Sequence, residues 1–176
     1  MNNPIKILLW NSNGLLPRKL ELDQFLNDQA IDIALITETH FTSRYNISRT
    51  KNYDVYSSNH PTGKAQGGAA VYVSKKIKHQ EGEHVSSNSI QAATAIIQLH
   101  DVPVTIAAVY CPPGSRLDRS KLEACFNKLG HRWIAGGDFN SKHTNWGSRL
   151  ITSRGRELLH AINQGWLRHY IRQDAL

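Results

Sequence analysis

The sequence predicts a layered fold of the α/β or α+β class. Short apolar runs typical of buried strands alternate with amphipathic runs typical of helices, and the middle of the chain is rich in strands. The 176 residues suit one domain with a substantial core. A hydrophobic content of 40% with 20% charged residues is typical of a globular protein rather than of an intrinsically disordered chain.

In the first half of the chain, strands are predicted from short apolar runs and the helix from apolar residues three and four positions apart. The run at 4–10 ends at an Asn-Ser-Asn-Gly turn, and the run at 31–38 ends on the carboxylate of Glu38. The predicted elements are, in order, a strand at 4–10, a helix at 17–29, strands at 31–38 and 53–57, a glycine-rich loop at 60–68 and a strand at 69–74.

The second half begins with two strand-like runs, at 90–99 and 104–110. Between them lies Asp101-Val102-Pro103, which predicts a hairpin with its turn at these three residues. A Pro-Pro-Gly sequence then interrupts the chain at 112–114. The remaining predicted elements are a helix at 118–129, a strand at 132–138 and a last helix at 153–164.

The chain is basic, with 21 Lys and Arg against 14 Asp and Glu and a formal charge of +7. This balance favours a polyanionic partner such as nucleic acid or an anionic membrane, although a generally basic soluble protein has the same composition. The two cysteines, Cys111 and Cys125, form no Cys-x-x-Cys pair and indicate a reducing compartment, nucleus or cytoplasm. No apolar run approaches the roughly 18 residues of a membrane span, so we expect no membrane-spanning segment. Of the two kinds of polyanionic partner, we expect nucleic acid and no membrane.

Polar side chains follow several predicted strands at the point where each strand ends. They are Asn11 and Asn13, Glu38, Tyr110, and Asp138 and Asn140. Loops at strand ends can gather distant residues into one cleft, and an oxygen-rich site with few carboxylates suits Mg²⁺. Each residue also has an ordinary role, since asparagines make turns, aspartates cap helices and a glutamate can be a solvated turn residue. The joint pattern therefore carries the prediction.

Five short motifs occur in an order that resembles the endonuclease/exonuclease/phosphatase superfamily. They are Trp10-Asn11-Ser12-Asn13-Gly14, Leu35-Ile36-Thr37-Glu38-Thr39-His40, Gly67-Gly68-Ala69-Ala70-Val71, Val109-Tyr110-Cys111-Pro112-Pro113 and Gly136-Gly137-Asp138-Phe139-Asn140. The longer block at 137–150, followed by Ser-Arg-Gly-Arg at 153–156, is similar to the endonuclease domain of jockey-type non-LTR retrotransposon polyproteins. The resemblance covers roughly residues 5–166.

The resemblance implies a four-layer sandwich in which two mixed β-sheets pack face to face with helices outside. It implies that Glu38 is the main carboxylate ligand of Mg²⁺ or Mn²⁺, with Asn11 and Asn13 beside the metal. Asn13 stands where repair enzymes of the superfamily have an aspartate, which lowers the local negative charge. Pro113 stands where those enzymes have an asparagine that contacts phosphate, and its backbone cannot donate a hydrogen bond.

The resemblance also implies a catalytic set and a reaction. Asp138 is expected to orient or deprotonate the attacking water, Asn140 to bond a phosphate oxygen, and Tyr110 to point its hydroxyl at the phosphate. The implied activity is nicking of target DNA, which leaves a 3′-hydroxyl that primes reverse transcription by an enzyme further along the parent polyprotein. Basic residues after the Asp-x-Asn motif are expected to contact DNA phosphates, with solvated surface charges as the alternative: Lys142, His143, Arg149, Arg154 and Arg156.

The catalytic histidine of the superfamily lies in a Ser-Asp-His motif, and the sequence contains no such triplet. We therefore expect residues 1–166 to be an incomplete domain whose last strands are missing, and residues 167–176 to be a tail without a clear family match. We expect the 176-residue chain to be weakly active or inactive. The alternatives are another phosphoesterase of the superfamily, acting on inositol phosphates or lipids, and a catalytically dead remnant that binds nucleic acid.

Overall fold

A computed structural model describes residues 4–44 and 50–163. The strands within these ranges are β1 (Ile7–Asn11), β2 (Ile33–Thr37), β3 (Tyr53–Ser58), β4 (Ala69–Ser74), β5 (His79–Glu81), β6 (Val85–Ser86), β7 (Gln91–Leu99), β8 (Val102–Tyr110) and β9 (Trp133–Asp138). The α-helices are α1 (Lys19–Asp28), α2 (Arg119–Lys128) and α3 (Ser153–Asn163), and two short 3₁₀ turns lie at Leu16–Arg18 and Thr144–Trp146. No helix in the described ranges is long and apolar enough to cross a membrane.

The strands form two mixed sheets. In the first, with the order β1-β2-β4-β3, β1 and β2 run parallel and the other pairs antiparallel. The second has the order β5-β7-β8-β9, with β6 also paired to β7, and its parallel pair is β8 with β9. Each sheet therefore contains one parallel pair, and β1 and β9 stand at the ends of their sheets among the described strands.

Three apolar clusters divide the molecule into four layers. The central cluster joins the inner faces of the two sheets, with Ile33 and Leu35 of β2 facing the second sheet at β8 and β9. Side chains alternate along a strand, so Ala34 and Ile36 of β2 point outward and pack with α1. Because both faces of β2 are covered, all five of its residues are buried.

The third cluster covers the outer face of the second sheet. Helices α2 and α3 place Leu122, Phe126 and Leu158 there, and the Phe126 ring stacks on Trp133 of β9 with centroids 5.1 Å apart. The order helix, sheet, sheet, helices confirms the predicted four-layer sandwich of two mixed sheets. The prediction that the last strands are missing stays a prediction.

The β7–β8 hairpin turns at a different place from the one predicted. Its turn residues are His100 and Asp101, with φ of 49° and 63°, a conformation typical of two-residue hairpin loops. Pro103 lies inside β8, opposite Gln98, so the predicted turn at Asp101-Val102-Pro103 was wrong. The proline is tolerated because pairing of β8 with β9 begins only at Thr105.

The other predicted elements are present, with ends that differ by at most three residues. The helix predicted at 17–29 begins with a 3₁₀ turn, and α2 begins after Asp118, whose carboxylate accepts from the Lys121 backbone at 3.2 Å. Strands β5 and β6 were not predicted, because they are two or three residues long and lack an apolar run. The last residue of the helix predicted at 153–164 and the tail predicted at 167–176 lie outside the described residues.

Candidate active site

The two parallel strand pairs bring four predicted site residues to one end of the sandwich. Parallel strands end at the same edge of a sheet, so Asn11 at the end of β1 lies near Glu38, which follows β2. In the second sheet Tyr110 and Asp138 are direct partners at the ends of β8 and β9. The sheets pack face to face with β1 and β2 over β9, which joins the two pairs at one cleft.

Asn11 connects two carboxylates that come from different sheets. Its Nδ2 donates to Glu38 Oε1 at 2.9 Å and to Asp138 Oδ2 at 3.3 Å. Its Oδ1 accepts from the backbone N–H of Asn13 at 3.1 Å, which fixes the orientation of the amide. The Asn11 side chain is therefore a bridge between the carboxylates. Asn13 reaches the site through its backbone, and its side chain is exposed.

Glu38 has a left-handed backbone, with φ of 52°. Such a conformation costs a non-glycine residue about 1 kcal/mol or more and persists where its surroundings hold it. Here the Glu38 carbonyl accepts from the Ser12 hydroxyl at 3.0 Å and from the Gly14 backbone at 2.8 Å. The loop after β1 thus holds the Glu38 backbone in the conformation that places its side chain next to Asn11.

Asp138 and Asn140 form a compact turn after β9. The Asn140 backbone N–H donates to Asp138 Oδ1 at 2.9 Å, and Asn140 itself is left-handed with φ of 48°. Asn140 Nδ2 donates to the Cys111 carbonyl at 3.2 Å. One carboxylate oxygen of Asp138 is thus held by the turn, while the other faces Asn11.

Tyr110 lies against both carboxylates and is buried, with 7% of its surface exposed. Burial raises the pKa of its hydroxyl, and the charges of Glu38 and Asp138 and a hydrogen bond with Glu38 raise it further. The hydroxyl therefore stays protonated at neutral pH and can donate a hydrogen bond.

Two residues near Tyr110 and Glu38 were not among the predicted site residues. Gln91, buried at the start of β7 and paired with Tyr110, accepts from the Gly68 backbone at 3.3 Å. An alanine Cβ at Gly67 would lie 2.7 Å from Gln91 Oε1 and 3.0 Å from the Tyr110 ring, so the Gly-Gly motif lets the loop approach Tyr110 closely. His40 Nε2 lies 3.8 Å from Glu38 Oε2. The sequence signal that could have identified Gln91 was a glutamine near the start of an apolar run.

The carboxylate pair is the part of the structure whose chemistry suits a hard cation. Within residues 4–44 and 50–163, no three His, Cys, Asp or Glu side chains cluster as a metal-binding group. Two carboxylates that converge on a single amide donor nevertheless mark a position that attracts positive charge. Mg²⁺ takes one or two carboxylates and keeps several waters, so Glu38 and Asp138 fit it and suit a soft metal poorly.

A cleft of about 940 Å³ opens from this site. Asn11, Asp138 and Asn140 line one part of it, and Lys142 and Arg149 line another. Both basic side chains are exposed, so the cleft has an anionic end and a cationic wall. Residues 154 and 156 are not among its lining residues.

His143 is buried and has a structural role, and the DNA contact predicted for it stays a prediction. It is buried, with 8% of its surface exposed, and its Nδ1 accepts from the Asn145 backbone at 3.1 Å at the start of a 3₁₀ turn. Its ring also lies against Trp146, with centroids 5.2 Å apart. Little surface remains for a phosphate.

Arg154 likewise has its guanidinium directed at the protein. Nη1 donates to the carbonyls of Pro112, Pro113 and Ser115 at 2.7–3.4 Å, and Nη2 donates to those of Cys111 and Phe139 at 3.1 Å. Five acceptors occupy the four Nη hydrogens, so these donors are not free for a DNA phosphate. Arg154 instead joins the loop after β8 to the turn after β9, which carry Tyr110 and Asp138. Arg156 is exposed, and its predicted DNA contact stays a prediction.

We expect Arg154→Lys to destabilise the protein by about 2–3 kcal/mol. A lysine keeps the charge but has three donors at one point, and it cannot reach carbonyls on two loops as the planar guanidinium does. Chemical denaturation of both proteins measures the difference, and Arg156→Lys is the matched control because Arg156 is exposed. Equal stability of the Arg154→Lys variant and the unaltered protein would contradict a bracing role.

The sequence matches the family described as Endonuclease/Exonuclease/phosphatase over residues 8–174. The RNA-directed DNA polymerase from mobile element jockey of Drosophila funebris is 39% identical over 161 residues, which are 92% of this chain and 18% of that protein. The jockey protein of Drosophila melanogaster is 38% identical with the same coverage. The chain thus spans under a fifth of the length of these curated relatives.

Solved structures show the same fold. The endonuclease domain of TRAS1, a telomere-specific non-LTR retrotransposon, has a TM-score of 0.72 at 24% identity, and the match covers 92% of this chain and 72% of that one. The Xenopus laevis APE2 catalytic domain has a TM-score of 0.60 at 20% identity, with coverage of 89% and 67%. With the match over residues 8–174, these findings establish that the chain belongs to the endonuclease/exonuclease/phosphatase family.

Proposed function

We propose that this chain is the metal-dependent DNA endonuclease domain of a non-LTR retrotransposon, and that it nicks target DNA to leave a 3′-hydroxyl. The observation that carries the proposal is the cleft itself. Asn11 and Asp138 line its anionic end, where Glu38 accepts a hydrogen bond from Asn11, and Lys142 and Arg149 line its wall. Cleavage of a DNA strand needs both parts. Basic groups bind the phosphates of the strand, while carboxylates bind the metal and the attacking water.

Each residue of the site has a chemical role in this proposal. Asp138, held by the Asn140 backbone, keeps one carboxylate oxygen toward the cleft and accepts a proton from the attacking water. The neutral Tyr110 hydroxyl donates to a non-bridging phosphate oxygen and stabilises the charge that develops there. Glu38, with Asn11 beside it and Asn13 next along the loop, would hold Mg²⁺ or Mn²⁺. When bound, this ion would supply charge stabilisation for the phosphate and the leaving oxygen.

The retrotransposon setting comes from the relatives. The jockey proteins are described as RNA-directed DNA polymerases, and TRAS1 as a non-LTR retrotransposon with an endonuclease domain. We propose that this chain likewise belongs to a polyprotein with a reverse transcriptase, for which the nicked strand is the primer. An intracellular location, in nucleus or cytoplasm, is part of the same proposal, since the primer is chromosomal DNA.

Nicking of supercoiled plasmid by the purified chain, with Mg²⁺, with Mn²⁺ and with EDTA, tests the proposal. Metal-dependent relaxed circles that disappear with Asp138→Ala support it, and release of phosphate from inositol phosphates without nicking would favour the other phosphoesterase. DNA binding without cleavage in any metal would favour a binding remnant. The expectation of weak or absent activity in the 176-residue chain stays a prediction. Nicking that falls tenfold or more in Glu38→Ala or Asp138→Ala would contradict it.

We expect Lys142→Ala and Arg149→Ala each to lower the salt dependence of DNA binding. Each phosphate contact contributes about −0.9 to the slope of log affinity against log salt concentration, so the double variant changes the slope by about 1.8. Fluorescence anisotropy with a short DNA duplex, at roughly 50 to 300 mM KCl, measures this slope.

The matched control for these variants is Arg132→Ala. Residue 132 precedes β9 at the end of the sandwich opposite Asp138, six residues or roughly 20 Å along the strand, and it is exposed. An equal change of slope for Arg132→Ala would show that the cleft wall has no special part in binding.

A further inference from the structure

Leu150 is a large apolar side chain in the wall of the cleft, which Leu9, Trp10 and Trp146 also line. It is 62% exposed and lines the cleft, and its neighbour Ile151 is 46% exposed. Within the described residues, these two are the only adjacent pair of exposed large hydrophobic side chains. A single exposed leucine is ordinary on a protein surface, but a leucine in the wall of a cleft with a second exposed apolar side chain next to it in the chain indicates a contact surface.

The loop that carries Leu150 is braced on both sides. The Thr152 backbone donates to the Lys142 carbonyl at 2.9 Å, and the Lys142 backbone donates to the Thr152 hydroxyl at 3.2 Å. The Ser148 backbone donates to the His143 carbonyl at 3.2 Å, and that of Leu150 to the Ser148 hydroxyl at 3.3 Å. The exposed leucine therefore sits on a fixed backbone, so little conformational entropy is lost when a partner covers it.

The charges around Leu150 indicate the class of partner. Arg149 precedes Leu150 in the chain, and Lys142 is the residue to which Thr152 is hydrogen-bonded. Both basic residues line the same cleft. Their side chains are exposed, and no hydrogen bond or ion pair to a described residue ties either of them down. An apolar side chain flanked by free cations suits a polyanion that also presents apolar faces. DNA has both, since phosphates flank the deoxyriboses and base edges of its minor groove.

We propose that Leu150 is a DNA-contact residue that packs on deoxyriboses or base edges in the minor groove next to the bond to be cleaved, while Arg149 and Lys142 hold the flanking phosphates. Apolar side chains that enter a minor groove favour base steps that unstack easily, so Leu150 also contributes to the choice of target site. The proposal rests on the proposed function, because it takes the cleft to be the DNA site.

The test compares DNA binding by Leu150→Ala, Leu150→Met and the unaltered protein, in EDTA and over a series of KCl concentrations. We expect Leu150→Ala to weaken binding about tenfold at every salt concentration with an unchanged salt slope, because it removes apolar contact and no charge. Leu150→Met, which keeps an apolar side chain of similar volume, is expected to bind within about twofold of the unaltered protein.

Leu20→Ala is the matched control, since Leu20 is 83% exposed on α1 and does not line the cleft. Because Leu150 is exposed, its variants are expected to unfold at the same temperature as the unaltered protein, which a thermal melt checks. Equal DNA affinity of Leu150→Ala and Leu20→Ala would overturn the inference and leave the proposed function standing. If the unaltered protein binds no DNA even at low salt, the proposed function is wrong, and the inference that rests on it is wrong as well.

Discussion

Gly137→Ala is expected to lower the free energy of unfolding by at least about 3 kcal/mol. A Cβ at this position would lie 2.7 Å from the Val109 carbonyl carbon and 2.8 Å from its nitrogen, and it would overlap the carbonyl oxygen. These are backbone atoms of the paired strand β8, so the collision cannot be relieved by a change of rotamer. The two parallel strands must separate at the point where they carry Tyr110 and Asp138.

Urea denaturation followed by intrinsic fluorescence measures the effect. With a stability of about 5–15 kcal/mol for a typical domain, a loss of this size leaves the variant only partly folded or with a melting temperature lower by roughly 10 °C. Gly114→Ala is the control, because a Cβ there meets nothing within 4 Å and should change the stability by less than about 0.5 kcal/mol. Equal stability of the two variants would show that β8 and β9 are not packed as described.

The same glycine shows why much of the site could be predicted from sequence. The run Gly136-Gly137-Asp138 places a carboxylate at the end of a buried strand, and Glu38 directly follows β2. Strand ends are visible in a sequence because apolar runs stop there, and parallel pairing brings such ends together. The layered fold therefore agrees with the prediction. The structure also brings Asn11, Glu38, Tyr110 and Asp138 together, while their catalytic and metal-binding roles stay predictions.

The parts that were not predicted depend on long-range contacts. Whether Arg154 points at solvent or at five carbonyls is decided by loops around 40 residues away in sequence, such as that at Pro112. The neighbouring sequence alone does not distinguish the exposed Arg149 from the half-buried Arg154. The hairpin turn was misplaced for a related reason, because whether Pro103 fits inside β8 depends on where β9 begins to pair.

Glu38→Gln is expected to weaken Mn²⁺ binding by at least about a hundredfold. Loss of a residue that only supports a metal ligand already costs about 10–100-fold, and Glu38 is the residue proposed to bind the metal itself. The amide has the same shape, so its oxygen can still accept from Asn11 Nδ2, and the Glu38 backbone bonds to Ser12 and Gly14 are kept. The substitution therefore removes charge with little change in structure.

Asn13→Asp tests the role of negative charge in metal binding by adding a carboxylate instead of removing one. Asn13 adjoins the site through its backbone bond to Asn11, and its exposed side chain lies on the loop that holds Glu38. A third carboxylate there increases the negative charge that a divalent cation meets, so we expect tighter Mn²⁺ binding, with stability lowered where no metal is present because like charges repel. Thermal melts with and without metal separate these two effects.

Titration calorimetry or the electron paramagnetic resonance signal of free Mn²⁺ measures the affinities without any need for cleavage. Glu21→Gln is the control, since Glu21 is an exposed carboxylate on α1 and its removal changes the net charge equally. If Glu38→Gln and Glu21→Gln lowered the affinity alike, the effect would be one of overall charge, and the metal would lie elsewhere. A large loss with Glu38→Gln alone, a gain with Asn13→Asp and no change with Glu21→Gln would locate the cation between the two sheets, where Asn11 now bridges the carboxylates.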